Sequence, residues 1–512
     1  MQKKSFIRGT LILGIGGIVS KFLGFFFRIP LIYMIGEEGI GLYQLTYPLY
    51  AFLLALAAGI PTALSKMISE RNALNKQREA HNIFKISLYI LGIFGGISSI
   101  LIIVFAKTII DSFKWNKGVY YSLLGISLAP LFTCILSAYK GYFQGFQSMG
   151  APAISQIIEQ LTRIIVGVGL AYVLLSKGIG VSAGAASFGA TVGSFIGLIW
   201  MISRYNKNKQ PYSATQESAS TLSLSLEILK FAIPISLGQA IGSIMALIDS
   251  VMVPGLLRGS GYSEQLATVL YGQLTGKAFV LINVPLTLSI ALAQSTVPAI
   301  SESFAVKNKH KLSRSIKMSF KLAMIIALPC AGGLFILAKP ILSLIFSGNG
   351  DGWELMQILA IGSVFIIIAQ TSTSILNGIG KILFPVIAMI FGGVIKIMIS
   401  YVFVPVPSLN IKAAAYGTLF AYGLVALIDF ILVVKSTKVY INIQEVFINP
   451  AICTIIMIFT VLVAYSSIYK YTEHNSIATL GSIGIGSLVY IIMLHITKTL
   501  SFSDMKRILN DK

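Results

Sequence analysis

Five basic side chains sit inside stretches that are otherwise apolar: Lys21, Arg28, Arg163, Lys277 and Lys396. Placing such a charge in hydrocarbon costs on the order of 2.5–3.5 kcal/mol on insertion scales, so side chains of this kind face a water-filled cavity or one another. As a set they are donors for an anion, a pyrophosphate or a carboxylate. Intramembrane acids are fewer. Glu159 stands four residues before Arg163, and that spacing predicts a pair on one helix face, with Glu159 either holding Arg163 or touching the ligand. Asp249 is a supporting or ion-coupling candidate, and Asp429 lies near the end of a later span. Five positive and three negative groups make the interior net basic, whereas a cavity that exports cations should show the reverse balance. Arg163 and Lys396 each lie 11 residues past a proline, Pro152 and Pro385, that opens their segment. At 1.5 Å per residue both are ~16 Å into a ~30 Å core, near its midplane. Arg28 and Lys277 are close enough to the outer boundary to reach the interface instead.

Other chemistries find no support. There is no GxSxG, HExxH, CxxC or paired-aspartate motif. Cys134, Cys330 and Cys453 lie in three separate apolar spans, and His81, His310, His474 and His495 are far apart in sequence, so neither a metal site nor a cofactor is expected. The glycine-rich GIGGIVSKFLG at 14–24 lacks the strand context of a dinucleotide site. Ala185, Gly189, Gly193 and Gly197 form a ladder of small residues that permits close helix packing. Pro30, Pro48, Pro61, Pro285 and Pro298 mark the first, second and eighth spans as those expected to bend.

The elements that must position these groups are membrane helices. The 512 residues are 55% hydrophobic and only 11% charged, against roughly 25% in a soluble domain, and the mean hydropathy is +0.84. Fourteen spans are predicted at 8–34, 41–65, 84–106, 119–142, 151–176, 181–203, 226–252, 268–300, 316–338, 355–377, 382–404, 413–434, 447–468 and 477–497. The basic start of the chain superficially resembles a signal peptide, but Arg8, Lys21 and Arg28 interrupt it and no small-residue cleavage site follows, which makes it the first span. With the N-terminus in the cytoplasm, 26 basic residues fall on the inner face, 8 on the outer and 5 within spans, accounting for all 39. This asymmetry predicts both termini inside. The net charge of +21 is scattered among short loops, so no nucleic-acid partner is expected. Loops this short leave no room for a catalytic domain, so the chain is not expected to be an enzyme.

Residues 145–163 align without gaps, at an offset of 233, onto residues 378–396, equating Gly145 with Gly378, Pro152 with Pro385 and Arg163 with Lys396. A looser echo pairs Ser69-Glu70 with Ser301-Glu302. An internal duplication of this kind underlies many transporters. It predicts an N-lobe of six helices (1–203), a linker (204–225), a C-lobe of six (226–434), and two appended helices with a tail (435–512).

The segments SKFLGFFFRIPLIYMIGEEGIGLYQLTYPLY at 20–50, AGIPTALSKMISE at 58–70, SQIIEQLTR at 155–163 and YGQLTGKAFVLINVPLTLSIALAQSTVPAISES at 271–303 resemble the stage V sporulation branch of the polysaccharide exporters and MurJ-type lipid II flippases, within the multidrug/oligosaccharidyl-lipid/polysaccharide superfamily. The resemblance implies a V-shaped, MATE-like helical fold in the bacterial cell membrane, with alternating access to a central cavity. It implies as substrate a lipid-linked oligosaccharide, lipid II or a close relative, with membrane lipids around it. Lys21 in SKFLGF stands where these flippases carry a cavity arginine. The next family arginine falls on Phe27, with Arg28 one position later, and Lys277 lies about one turn before the arginine of the eighth helix. Some members bind sodium between acids of helices seven and eleven; here Asp249 is available but helix eleven carries Lys396, so the ammonium is expected to replace sodium. A monomer is expected. The alternatives are a drug or metabolite antiporter of the same fold, a membrane glycosyltransferase or polymerase, which should carry a catalytic loop, and a non-transporting scaffold associated with cell-wall synthesis enzymes.

Overall fold

The computed structural model describes residues 2–208, 220–306, 308–346, 348–497 and 499; most of the expected linker and the C-terminal tail lie outside the described residues. In a bilayer every backbone N–H and C=O must be satisfied within the chain, which leaves helices as the way for these apolar segments to cross. Among the described residues the regular structure is entirely helical: α1 (Gln2–Ala57), α2 (Gly59–Ala73), α3 (Gln77–Ser112), α4 (Val119–Ile126), α5 (Ala129–Gly145), α6 (Gly150–Val173), α7 (Ile179–Asn208), α8 (Thr221–Gly259), α9 (Glu264–Gly272), α10 (Phe279–Ala305), α11 (Lys309–Ile336), α12 (Ala338–Ile345), α13 (Trp353–Gly378), α14 (Leu383–Phe403), α15 (Ile411–Thr437), α16 (Asn449–Thr472) and α17 (Asn475–Ile496). Short π-helical turns at Gln273–Ala278 and Gln444–Ile448 lead into α10 and α16.

Thirteen of the described helical segments are long and apolar enough to cross a membrane. The difference from fourteen lies at the start, where Gly16–Ala73 runs for 58 residues and takes in most of the first expected span and all of the second. Fully straight it would be ~87 Å long, nearly three membrane cores. It turns at Gly36, whose φ of 67° and ψ of −172° break the helix between the two expected spans. Only glycine takes that conformation cheaply. The non-helical residue of α1 is therefore this glycine, and not Pro30 or Pro48, which both lie within continuous helix.

By packing, the chain forms two compact units, 1–272 and 273–512. In the first, α3 shows how a membrane helix inverts the soluble pattern. Its apolar Ile93, Ile97, Ile100 and Val104 are exposed, while Gly95, Ser98 and Ser99 are buried. Gly95 lets the backbone of α5 approach, since a methyl group there would lie 2.9 Å from the Pro130 carbonyl oxygen. Small residues at helix contacts and large apolar ones toward lipid are the expected arrangement when lipid is as apolar as leucine. Pro254 inside α8 lacks an N–H and so frees the carbonyl of Ser250, four residues earlier. The indole N–H of the buried Trp115 donates to that carbonyl at 2.5 Å.

The second unit repairs a proline in the same way. Pro329 inside α11 frees the carbonyl of Ile325, and the Tyr490 hydroxyl of α17 donates to it at 3.0 Å. One turn on, a methyl group at Gly332 would lie 2.7 Å from Ile458 of α16. The two C-terminal helices thus cover the proline break of α11. The glycines equated by the sequence alignment also pack alike, each within its own unit. A methyl group on Gly145 would meet Ile68 at 2.7 Å and the Ser65 carbonyl oxygen at 3.0 Å; one on Gly378 would meet Ile300 at 2.8 Å and the Val297 carbonyl oxygen at 3.3 Å. Ile68 and Ile300, and Ser65 and Val297, stand in the register of the Ser69-Glu70 and Ser301-Glu302 echo.

Candidate functional site

In the first unit three of the five candidate cations converge on one aromatic face of α1. Tyr43, Tyr47 and Tyr50 recur at i, i+4 and i+7, which puts them on one side of the helix. The rings of Tyr43 and Tyr47 stack at a centroid distance of 6.5 Å, and Tyr47 meets Tyr50 at 5.8 Å. The Tyr50 hydroxyl shares a hydrogen bond of 3.0 Å with Thr133 of α5. Phe27, before the Gly36 turn, packs edge-on against Tyr43 at 5.8 Å.

Arg163 of α6 points into this group. Its guanidinium donates through Nη2 to the Tyr43 hydroxyl and lies 5.6, 5.9 and 5.3 Å from the ring centroids of Phe27, Tyr43 and Tyr47. Each such contact attracts a cation to the ring face by ~0.5–2 kcal/mol, depending on desolvation. Arg28 lies within electrostatic range of Arg163, Tyr43 and Tyr47, and Lys21, two turns earlier and exposed, within range of Tyr47. The Nε atoms of both arginines are buried without a hydrogen-bond partner, as are Oγ of Ser20 and Oε1 of Gln156. Buried polar atoms of this kind are rarely left unmet without a reason. The two arginine Nε atoms and the Ser20 hydroxyl are donors to spare beside the three cations, whereas Oε1 of Gln156 can only accept.

Small residues hold this geometry. Gly16 and Gly24 of the glycine-rich stretch face α6, where methyl groups would lie 3.0 Å from the Ala153 side chain and 3.1 Å from Nε2 of Gln160. On the far side of α6, Gly189 and Gly193 of the small-residue ladder admit its backbone. A methyl group on Gly189 would lie 2.7 Å from the Arg163 carbonyl oxygen, and one on Gly193 2.5 Å from that of Glu159. The ladder therefore fixes the depth and rotation at which Arg163 enters the site.

One expected contact is corrected. Glu159 does not pair with Arg163; it accepts from Lys140 of α5 at 3.1 Å, both side chains being largely buried. The i,i+4 spacing placed the two residues on adjacent turns correctly, but a tyrosine from α1 supplies the arginine's partner and a lysine from α5 the glutamate's. Lys140 and the tyrosine ladder belong to this candidate site and were not singled out from the sequence. Lys140 lies two residues from the end of the span predicted at 119–142, where a basic residue reads as part of the adjoining loop. The tyrosines had a readable signal in their i, i+4, i+7 spacing.

The other two candidate cations belong to the second unit. Lys277 is fully buried in the π-helical turn before α10. Its ammonium donates to the backbone oxygen and Oδ1 of Asn349 at 3.3 and 3.2 Å and lies 5.4 Å from the Phe346 ring. Lys396 is buried in α14, whose backbone approaches α15 at Gly417. Asp249 is buried in α8. Asp429 of α15 is buried and accepts from Thr373 of α13 at 3.0 Å. No three metal-ligating side chains come together among the described residues.

These features meet known proteins at several points. The polysaccharide biosynthesis protein family matches over residues 6–304, and the MatE family over 234–402. Stage V sporulation protein B of Bacillus subtilis (strain 168) is 26% identical over 99% of this chain and 98% of its own. Lipid II flippase MurJ of the same organism is 27% identical over 77% of this chain and 76% of its own. Among solved structures, an inward closed conformation of lipid II flippase MurJ superposes with a TM-score of 0.72 at 18% identity, covering 95% of this chain and 98% of that one. An inward-facing multidrug resistance MATE family transporter gives 0.70 at 17%, covering 82% and 94%. These two likenesses show a shared fold. With its apolar helices, the chain is a multi-pass protein of the bacterial cell membrane, and it belongs to the polysaccharide biosynthesis protein family.

Proposed function

We propose that this chain is a flippase that carries an anionic polyprenyl-pyrophosphate-linked sugar from the inner to the outer leaflet by alternating access, with lipid II or a close peptidoglycan precursor of the spore cortex as cargo. The observation that carries the reading is the cluster of Lys21, Arg28 and Arg163 on the aromatic face of α1, with buried donor atoms still unmet. A pyrophosphate brings the acceptors that such donors lack, and arginine forks suit it geometrically. Lys277 and Lys396 of the second unit are proposed as further substrate-binding residues. Both termini lie in the cytoplasm in this proposal, and the six-helix lobes 1–203 and 226–434 arise by duplication, supported by the matching contacts of Gly145 and Gly378. Exporting negative charge from an interior-negative cell is downhill by ~2.3 kcal/mol per charge per 100 mV, so membrane potential drives the step without a coupled cation.

The names of the relatives support the cargo: a lipid II flippase and a stage V sporulation protein align with this chain. The MatE match over 234–402 favours a second reading, a drug antiporter. The basic balance of the first unit's site argues against cationic drugs as cargo. The discriminating experiment is binding by the purified protein: fluorescent lipid II should bind and be displaced by undecaprenyl pyrophosphate, and Arg163→Ala should weaken it about tenfold or more. Equal binding of an organic cation drug, unaffected by Arg163→Ala, would favour the antiporter.

A further inference from the structure

At the start of α11, in the second unit, a cavity of about 360 Å³ is lined by His310, Ser313, Arg314, Lys317, Lys321 and Glu445. The basic residues recur at i, i+4, i+7 and i+11, which lays them along one face of the helix over three turns. Lys321, 8% exposed, is held in the lining by an ion pair of 2.7 Å with Glu445. Arg314 and Lys317 have no acidic partner among the described residues, so the lining keeps about two uncompensated positive charges.

We propose that this cavity binds the phosphodiester headgroup of an anionic phospholipid, with Arg314 and Lys317 holding the phosphate. Three observations favour a lipid over a free anion. The cavity opens on the first turns of a membrane-spanning helix. The turn that carries Glu445 exposes Ile448 (46%), with Ile443 (62%) and Tyr440 (79%) just before it, apolar and aromatic surface suited to acyl chains and to the interface. Basic pockets among membrane helices on the side rich in lysine and arginine are the usual sites for anionic headgroups, and the basic-residue asymmetry puts this end of α11 on that side. The volume is at the small end for ligand pockets, enough for one phosphodiester headgroup and too small for the sugar-pyrophosphate cargo. The inference does not depend on the flippase reading.

The test is native mass spectrometry of the full-length protein titrated with phosphatidylglycerol or phosphatidylcholine. The double variant Arg314→Gln/Lys317→Gln should bind the tightest phosphatidylglycerol about 30-fold more weakly. Glu445→Gln should bind it a few-fold more tightly by releasing Lys321, an increase that a damaged fold does not give. Phosphatidylcholine binding should change in neither. Unchanged phosphatidylglycerol affinity in the double variant, or an equal loss for phosphatidylcholine, overturns the site. Displacement of the bound lipid by millimolar inorganic phosphate overturns the lipid assignment in favour of a free-anion site.

Discussion

Removing the Tyr490 hydroxyl should cost stability only while Pro329 is present. Pro329 deprives the Ile325 carbonyl of its helical donor, and the buried Tyr490 supplies the replacement at 3.0 Å. In Tyr490→Phe the ring still packs, but the carbonyl is left unmet. Side-chain hydrogen bonds between membrane helices average ~0.6 kcal/mol and reach ~1.7; a carbonyl with no other donor belongs in the upper half of that range, ~1–1.7 kcal/mol. Pro329→Ala restores the amide, so the helix satisfies its own carbonyl and the hydroxyl becomes redundant. A double-mutant cycle read by denaturant unfolding in detergent should therefore show a coupling of ~1 kcal/mol between the two positions. The same cost for Tyr490→Phe in both backgrounds would refute the idea that α17 serves as the donor for the break in α11.

The Lys140–Glu159 pair predicts a second non-additive cycle. Lys140→Met and Glu159→Gln should each destabilise the protein by ~1–3 kcal/mol, and the double variant by less than the sum, because each single change leaves a largely buried charge without its counter-ion; additive costs would argue that the pair is incidental. Gly193→Ala should lower the melting temperature and weaken lipid II binding together, since its methyl group would press on the Glu159 backbone at 2.5 Å and displace Arg163. Gly169→Ala in α6 meets nothing within 4 Å and should be neutral or stabilising by ~0.5–1 kcal/mol in the same melting assay.

The membrane helices were legible because span length and apolarity are set by the bilayer, which acts on each segment alone. The turn at Gly36 shows what hydropathy leaves out: the gap between the first two spans was visible, but not that a single glycine would carry it inside one helical run. The small-residue ladder was readable as a close contact, and its partner, α6 at Arg163, emerged from packing. Intramembrane cations were recognisable one by one from their insertion cost. Their partners were not, because a side chain chooses among everything that neighbouring helices bring to it. Arg163 found Tyr43, Glu159 found Lys140, and Lys277 found Asn349, each across elements that no helical periodicity connects. The same limit hid the role of the last two helices, which a tyrosine on α17 and a freed carbonyl on α11 now supply.

The central claim, an anionic lipid-linked cargo moved through a basic site, is tested most directly by flipping in vesicles that contain only this protein. Fluorescent lipid II loaded in one leaflet should cross faster when a potential is imposed negative on the loaded side, should do so without sodium, and should slow by about tenfold or more in Arg163→Ala while the variant keeps its melting temperature within a few degrees. Crossing at the wild-type rate in Arg163→Ala, or crossing that stops when sodium is withdrawn, would contradict it.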